Sequence, residues 1–423
     1  MPLSPALPAS SNELVVVAVE ETTYGIDANP TGAHAVRIVQ PDFKPLLAEK
    51  KQRAYVQPFL GGRKSSQVAE RTEFTGRLEL CGFGADASRI PPQDLFLRAA
   101  GLTRTQVAAT PAATIATSAV AKAGAVGSFT YVRTTAYGGI VPLSVKLVCT
   151  TAGASGAAKF TVSAPAVGSL PAYNVTNVTM TDGAALTLPG GAVITPTVGT
   201  AFGVGAEFTI ALVPAETRYQ RSSDRNNHAS MSLYMIRAGK RQKMLGTRIT
   251  SAKLSFPLDE DPYLEFTAVG FFNPPDEVVA PVPDYTDWTD PEHVSTVNSP
   301  YFQAFGQELV MQAFDLDLGL SGGLKSRVGR RMVRVANWEG KWTATVEEPD
   351  LADISLIDIA KNRTVGTVEF LHGTQAGKVI AITGHQTQID PPTLSDDDGD
   401  AMMQLAGDLF PLNGDDELTI AFR

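Results

Sequence analysis

Two cysteines in 423 residues, Cys81 and Cys149, are too few and too far apart for a disulfide framework or a zinc cluster. Each is read as a small buried hydrophobe. No window approaches the roughly 18 consecutive apolar residues of a membrane-spanning helix. The opening stretch Met1–Pro8 has three prolines and no basic residue, so it is not read as a signal peptide. Five histidines, at 34, 228, 293, 372 and 385, fall at no metal-ligand spacing. The phosphate-loop pattern G-x-x-x-x-G-K-[ST], H-E-x-x-H, G-x-S-x-G and Cys-x-x-Cys are all missing. The expectation is a protein without catalytic site, cofactor or resident metal. Basic residues are also in deficit: 35 Lys and Arg against 44 Asp and Glu give a net charge of −9. A chain of that sign does not grip nucleic acid or anionic membrane as its main business.

What the chain has in plenty is turn-forming residues, 37 Gly and 28 Pro without a collagen period. That favours many short strands and a mainly β fold. The strand 416–423 alternates Leu418, Ile420 and Phe422 against Glu417, Thr419 and Ala421, one face apolar and one solvated. Residues 307–318 carry Leu309 and Met311 in one phase and Phe314, Leu316 and Leu318 in the other, which predicts a bulge. Two short helices are expected, Leu95–Ala100 closed by Gly101, and Leu351–Lys361 capped by Asp350.

Charge density then divides the chain. Between residues 103 and 215 only seven side chains are charged, five basic and two acidic. The stretch Ala108–Ala125 reads as a flexible linker. Strand-like runs follow at Ser128–Thr134, Val141–Cys149, Ala158–Val162, Ala185–Leu188 and Glu207–Val213, spaced as in a small β-sandwich inserted into another unit.

Outside that insert the two ends of the chain match each other. Gly239-Lys240 before Gly246 is repeated as Gly377-Lys378 before Gly384, 138 residues on, and the same offset sets Phe271 against Leu409. The reading is two similar β-sandwich or barrel units, each with a short helix. Their bounds are 1–102 with 216–280, interrupted by 103–215, then a linker 281–291 and a second unit 292–423.

Each unit pairs a basic segment with an acidic loop. The first basic segment carries Lys44, Lys50, Lys51, Arg53, Arg63, Lys64 and Arg71; the second carries Lys325, Arg327, Arg330, Arg331 and Arg334. The acidic loops are Asp259-Glu260-Asp261 and Asp396-Asp397-Asp398-Gly399-Asp400. Read as an EF-hand with Gly399 sixth, the second loop places Leu394 and Leu405 where carboxylates are needed, so a solvated acidic turn is expected instead. Complementary charge on identical subunits suits head-to-tail stacking, a heterologous contact that builds an open filament.

Several landmarks bear a family likeness. Glu20-Glu21-Thr22-Thr23-Tyr24-Gly25-Ile26-Asp27, Pro58-Phe59-Leu60-Gly61, Leu95–Gly101, Tyr263-Leu264-Glu265-Phe266 and Asn413–Ile420 together resemble the tail tube (major tail) proteins of long, flexible-tailed bacteriophages. The insert is similar to β-modules of other phage structural proteins. The resemblance implies rings of tube units stacked into a hollow virion tail, assembled in the host bacterial cytoplasm. Its lumen would hold the tape-measure protein and later DNA, and tail terminator and distal tail proteins would close the ends. With two units per chain, three chains would form a ring of pseudo-sixfold symmetry, with no membrane partner. The charged residues named above would then mediate contact between rings. A second reading is a baseplate or fibre adhesin whose insert binds carbohydrate, although none of the three tryptophans lies within 103–215.

Overall fold

The computed structural model describes residues 14–52, 64–110, 117–168 and 170–423. The fold is mainly β, with several antiparallel sheets and two α-helices of six residues each among the described residues. The first helix, Asp94–Ala99, ends where Gly101 takes a left-handed φ of 90°. The second departs from expectation. It starts at Leu356, because Ser355 and not Asp350 supplies the capping oxygen, accepting from the Asp358 amide. Asp350 instead accepts from the Ala352 amide in a preceding turn.

The two matched regions share one strand order. In the first, Leu14–Glu20 pairs with Met231–Arg237, then Lys240–Pro257, Tyr263–Phe272, Ser65–Glu79 and Val39–Gln52 follow in turn. In the second, Tyr301–Ala304 pairs with Gly366–His372, followed by Ile380–Ile389, Asp400–Leu409, Lys341–Glu347 and Met311–Asp317. Thr393–Asp397 continues the line of Ile380–Ile389 along the same neighbour. The repeated glycines now have a reason. A Cβ on Gly246 would lie 2.8 Å from the Phe271 ring, and one on Gly384 would lie 2.6 Å from the Leu409 side chain. Each glycine makes room for the bulky residue that the same offset repeats.

The halves join edge to edge, so that eighteen strands form one hydrogen-bonded sheet. At one joint, residues 253–257 pair with residues 313–317. Phe256 thereby enters the aromatic cluster of the second half, with ring centroids 4.8 Å from Phe370 and 6.2 Å from Phe314. At the other, Glu216–Arg221 pairs with Leu418–Phe422. The register of the 311–317 strand shifts between Met311 and Ala313, at the predicted bulge.

Leu418–Phe422 is a correction to the alternating-face reading, since all five residues are buried. The strand has neighbours on both edges, and Ala421 packs with Val141 of the insert, Leu371 and Val379, so the face expected in water is covered. The insert forms a five-stranded and a four-stranded sheet that share one hydrophobic cluster, including Phe129, Phe160, Phe202 and Phe208. Thr117–Ser118 and Val120–Ala121 belong to these sheets, pairing with Tyr131–Thr130 and with Thr209–Phe208, so this part of the expected linker is ordered by remote strands. Strands Tyr173–Thr179 and Val193–Thr200 escaped the sequence reading. The expected linker 281–291 packs against the first half. Trp288 is buried and its Nε1 donates to the Ala35 carbonyl at 3.1 Å.

Candidate functional site

Strand polarity puts the two charges at opposite ends. In the first half, Tyr263 pairs with Glu79 and Phe271 with Arg71, so turn 259–261 lies at one end while the hairpin of Val39–Gln52 and Ser65–Glu79 runs past the other. In the second, Met402 pairs with Glu347 and Asp408 with Lys341. Turn 396–400 again sits at one end, and the hairpin of Leu320–Arg327 and Arg330–Trp338 extends beyond the other.

The first basic segment stays open. Lys50 and Lys51 are exposed on a hairpin strand, Lys64 is exposed just before the other, Arg71 is half-buried, and Lys44 is tied to Glu73 at 2.7 Å, a contact that raises its pKa. Arg53 and Arg63 lie outside the described residues, as does Pro58–Gly61. The second hairpin folds back over the first half of its own chain. The Val333 amide donates to the Tyr24 hydroxyl at 2.6 Å, Tyr24 donates to the Gly246 carbonyl at 3.1 Å, and the Arg331 guanidinium stacks 5.2 Å from the Phe271 ring.

That fold-back encloses a cleft of about 610 Å³. Lys325, Arg327, Arg330, Arg331 and Arg334 reach it from the hairpin, and Arg225 from a neighbouring loop. Arg248, from strand Lys240–Pro257, and His228 also line it, exposed to only 7% and 5%. None of these seven cations has an ion-pair partner among the described residues. Burial lowers the pKa of Arg248, and its two terminal nitrogens donate to the carbonyls of Val333 and His228, leaving Nε without a partner. His228 is likewise held below its usual pKa by burial. Its Nε2 donates to the Ser222 carbonyl at 2.8 Å, which leaves Nδ1 unpartnered.

The two carboxylates in the cleft wall offset only part of this charge. Glu20 is gripped by Arg98 through contacts of 2.7 and 2.8 Å, which lower its pKa. Glu21 is buried and accepts from the amides of Gly25 and Gly246 and the hydroxyls of Ser230 and Ser232. The Glu20–Gly25 motif is therefore a built corner. Sequence could flag its residues, while Arg248, His228 and Arg225 carried no signal because their neighbours come from distant segments.

The acidic turns differ from each other. Asp259 and Glu260 are exposed, but the Asp259 amide donates to the Val294 carbonyl at 2.8 Å and Asp261 sits 2.7 Å from His293 Nδ1. Asp396, Asp397, Asp398 and Asp400 are all exposed and make no ion pair among the described residues. Asp398 and Gly399 both have positive φ, which makes the tip a tight two-residue hairpin turn.

Among the described residues no three His, Cys, Asp or Glu side chains converge to hold a metal ion. Cys81 and Cys149 are free and buried, and desolvation pushes the Cys81 thiol up to about 11. No described helix is long and apolar enough to cross a membrane. Comparison with family models and with curated proteins finds no match.

Proposed function

We propose that this chain is a non-enzymatic, self-assembling structural protein, the tail tube subunit of a long-tailed bacteriophage. Two β-sandwich or barrel units and an inserted β-sandwich would make up each chain, three chains would close a ring, and rings would stack head to tail. The observation that carries this reading is a pair of matched but unequal edges. Phe256 is fully buried at the joint inside the chain, whereas Leu394, which the 138-residue offset puts in its place, is 61% exposed on Thr393–Asp397. The counterpart edge, strand Val39–Gln52, leaves Val39 and Leu46 exposed. Repeating the internal joint between chains would cover both edges, and a closed ring removes unpaired strands from solvent. Pro41 and Pro45 withhold amide donors along that edge, which discourages indiscriminate strand addition. The opposite charge at the two ends of the strands favours rings stacked in one sense. On this reading the insert lies outside the tube, with the tape-measure protein and DNA within.

Negative-stain microscopy and sedimentation of the purified chain test it. Hollow tubes or ring-sized oligomers are expected, and Leu394→Glu should leave monomers. A wild-type chain that stays monomeric at every salt and protein concentration would refute the reading.

A further inference from the structure

We propose that the cleft between the second hairpin and the first half is a carboxylate-docking site, and that its occupant is the acidic turn Asp396–Asp400 of a second copy of this chain. The inference rests on the assembly reading for its partner, but its chemistry stands on the cleft alone. Seven cations face a cavity lined by two carboxylates, Glu20 held by Arg98 and Glu21 by backbone and serine donors, so cationic charge stays in excess. At its wall Arg248 keeps an unpartnered Nε although the residue is over nine-tenths buried. The exposed guanidinium groups of Arg330 and Arg331 can donate charge-assisted hydrogen bonds to an arriving carboxylate, and the buried charge of Arg248 adds to the attraction.

The same chain carries the complement. Four aspartates surround a hairpin tip with no cation paired to them among the described residues. The equivalent turn of the first half is already engaged with Val294 and His293, so it is not the better candidate. The turn also lies at the opposite end of the strands from the hairpin, as a head-to-tail contact requires. A narrow acidic tip can reach the exposed Arg330 and Arg331.

The test uses the full chain with Asp396, Asp397, Asp398 and Asp400 all changed to Asn, so that its own turn cannot compete. A disulfide-closed peptide of residues 393–404 is titrated in, with calorimetry and Trp338 fluorescence as readouts; Trp338 lies 5.8 Å from the His228 ring. Saturable binding is expected that weakens with salt and at least about tenfold in Arg330→Gln/Arg331→Gln, exposed positions whose change leaves the core intact. The peptide with Asn at all four Asp positions should not bind. Binding of inorganic phosphate without binding of the peptide, or peptide binding indifferent to Arg330→Gln/Arg331→Gln, would overturn the proposal. Tube formation is not the readout. Peptide binding with no tubes would count against the assembly reading alone, and normal tubes with no peptide binding against the cleft alone.

Discussion

Arg221 is the peg that fastens the two halves, and its removal offers the sharpest test of the energetics. Its side chain is 1% exposed and its Nε lies 2.9 Å from Glu417 Oε1, itself on a side chain only 6% exposed. The N–H is not aimed at that oxygen, so the contact is an ion pair without a well-formed hydrogen bond. The remaining partners are the Leu318 carbonyl at 2.7 Å and the Trp338 ring at 5.2 Å. Glu417→Gln therefore strands a buried guanidinium with one carbonyl and one aromatic face. Breaking a buried pair from one side costs about 3–5 kcal/mol, and the amide oxygen that Gln retains argues for the lower part of that range. Arg221→Met leaves the opposite orphan, a buried carboxylate. In the double variant neither charge remains, and apolar replacement of a buried pair is often close to neutral. The double variant should therefore lose far less than the two single losses together, a coupling of about 6 kcal/mol. Urea unfolding followed by tryptophan fluorescence measures it, with the midpoint moving and the slope unchanged. A loss below about 1 kcal/mol for Glu417→Gln, or additive effects in the cycle, would refute the assignment of Arg221 as a buried, singly paired cation.

Two further outcomes follow from the same contacts. Burial depresses the pKa of both His228 and His372 below 6.5; His228 faces Arg248 and Arg225 as well as Asp224, and His372 contacts Glu292. The unfolded chain takes up those protons first, so stability is fully present above about pH 6.5 and falls as the pH drops towards the folded pKa values. Thermal unfolding across pH 7 to 5 should show this, and His372→Gln should flatten the profile; an unchanged slope would remove His372 from the account. Excision of residues 108–215, with Val107 and Glu216 joined through Asn-Gly, should preserve the sheet, because strands 102–107 and 216–221 already form an antiparallel pair. It should lower the melting temperature, since Val141 leaves Leu371, Val379 and Ala421 uncovered. Circular dichroism of a chain that fails to fold would show the insert to be integral.

Much of this architecture was legible because it rests on local rules. Gly246 and Gly384 announced a repeat since each must yield to a side chain at a fixed offset, and the strand order bears the same repeat. The bulge at Met311–Ala313 showed as a change of apolar phase. The misreadings come from contacts made at a distance. Thr419 and Ala421 look like a solvated face until the insert and a second neighbouring strand are added. Ala119 and its neighbours look like linker because nothing local says that they pair with the remote strands Ser128–Thr135 and Glu207–Leu212. The basic segments were visible as charge, but nothing local says that Val333 bonds to Tyr24, 309 residues away, and folds one of them onto its own chain.

That fold-back bears on why one chain should hold two units. Inside the chain one hairpin is seated, one acidic turn is tied to Val294 and His293 and one edge is paired, while the counterparts, Lys50 and Lys51, Asp396–Asp400 and Leu394, are left exposed without such ties. On the tube reading, fusing two units makes alternate joints intramolecular, where the effective concentration reaches the millimolar range for short linkers. Those joints form during folding, independent of protein concentration. On that reading the joints between chains remain second-order in concentration, so control over assembly falls on the exposed set and the cleft it would meet. On the tube reading a change at Leu394 should abolish rings without unfolding the chain, whereas the same change at Phe256 should unfold the chain before assembly begins.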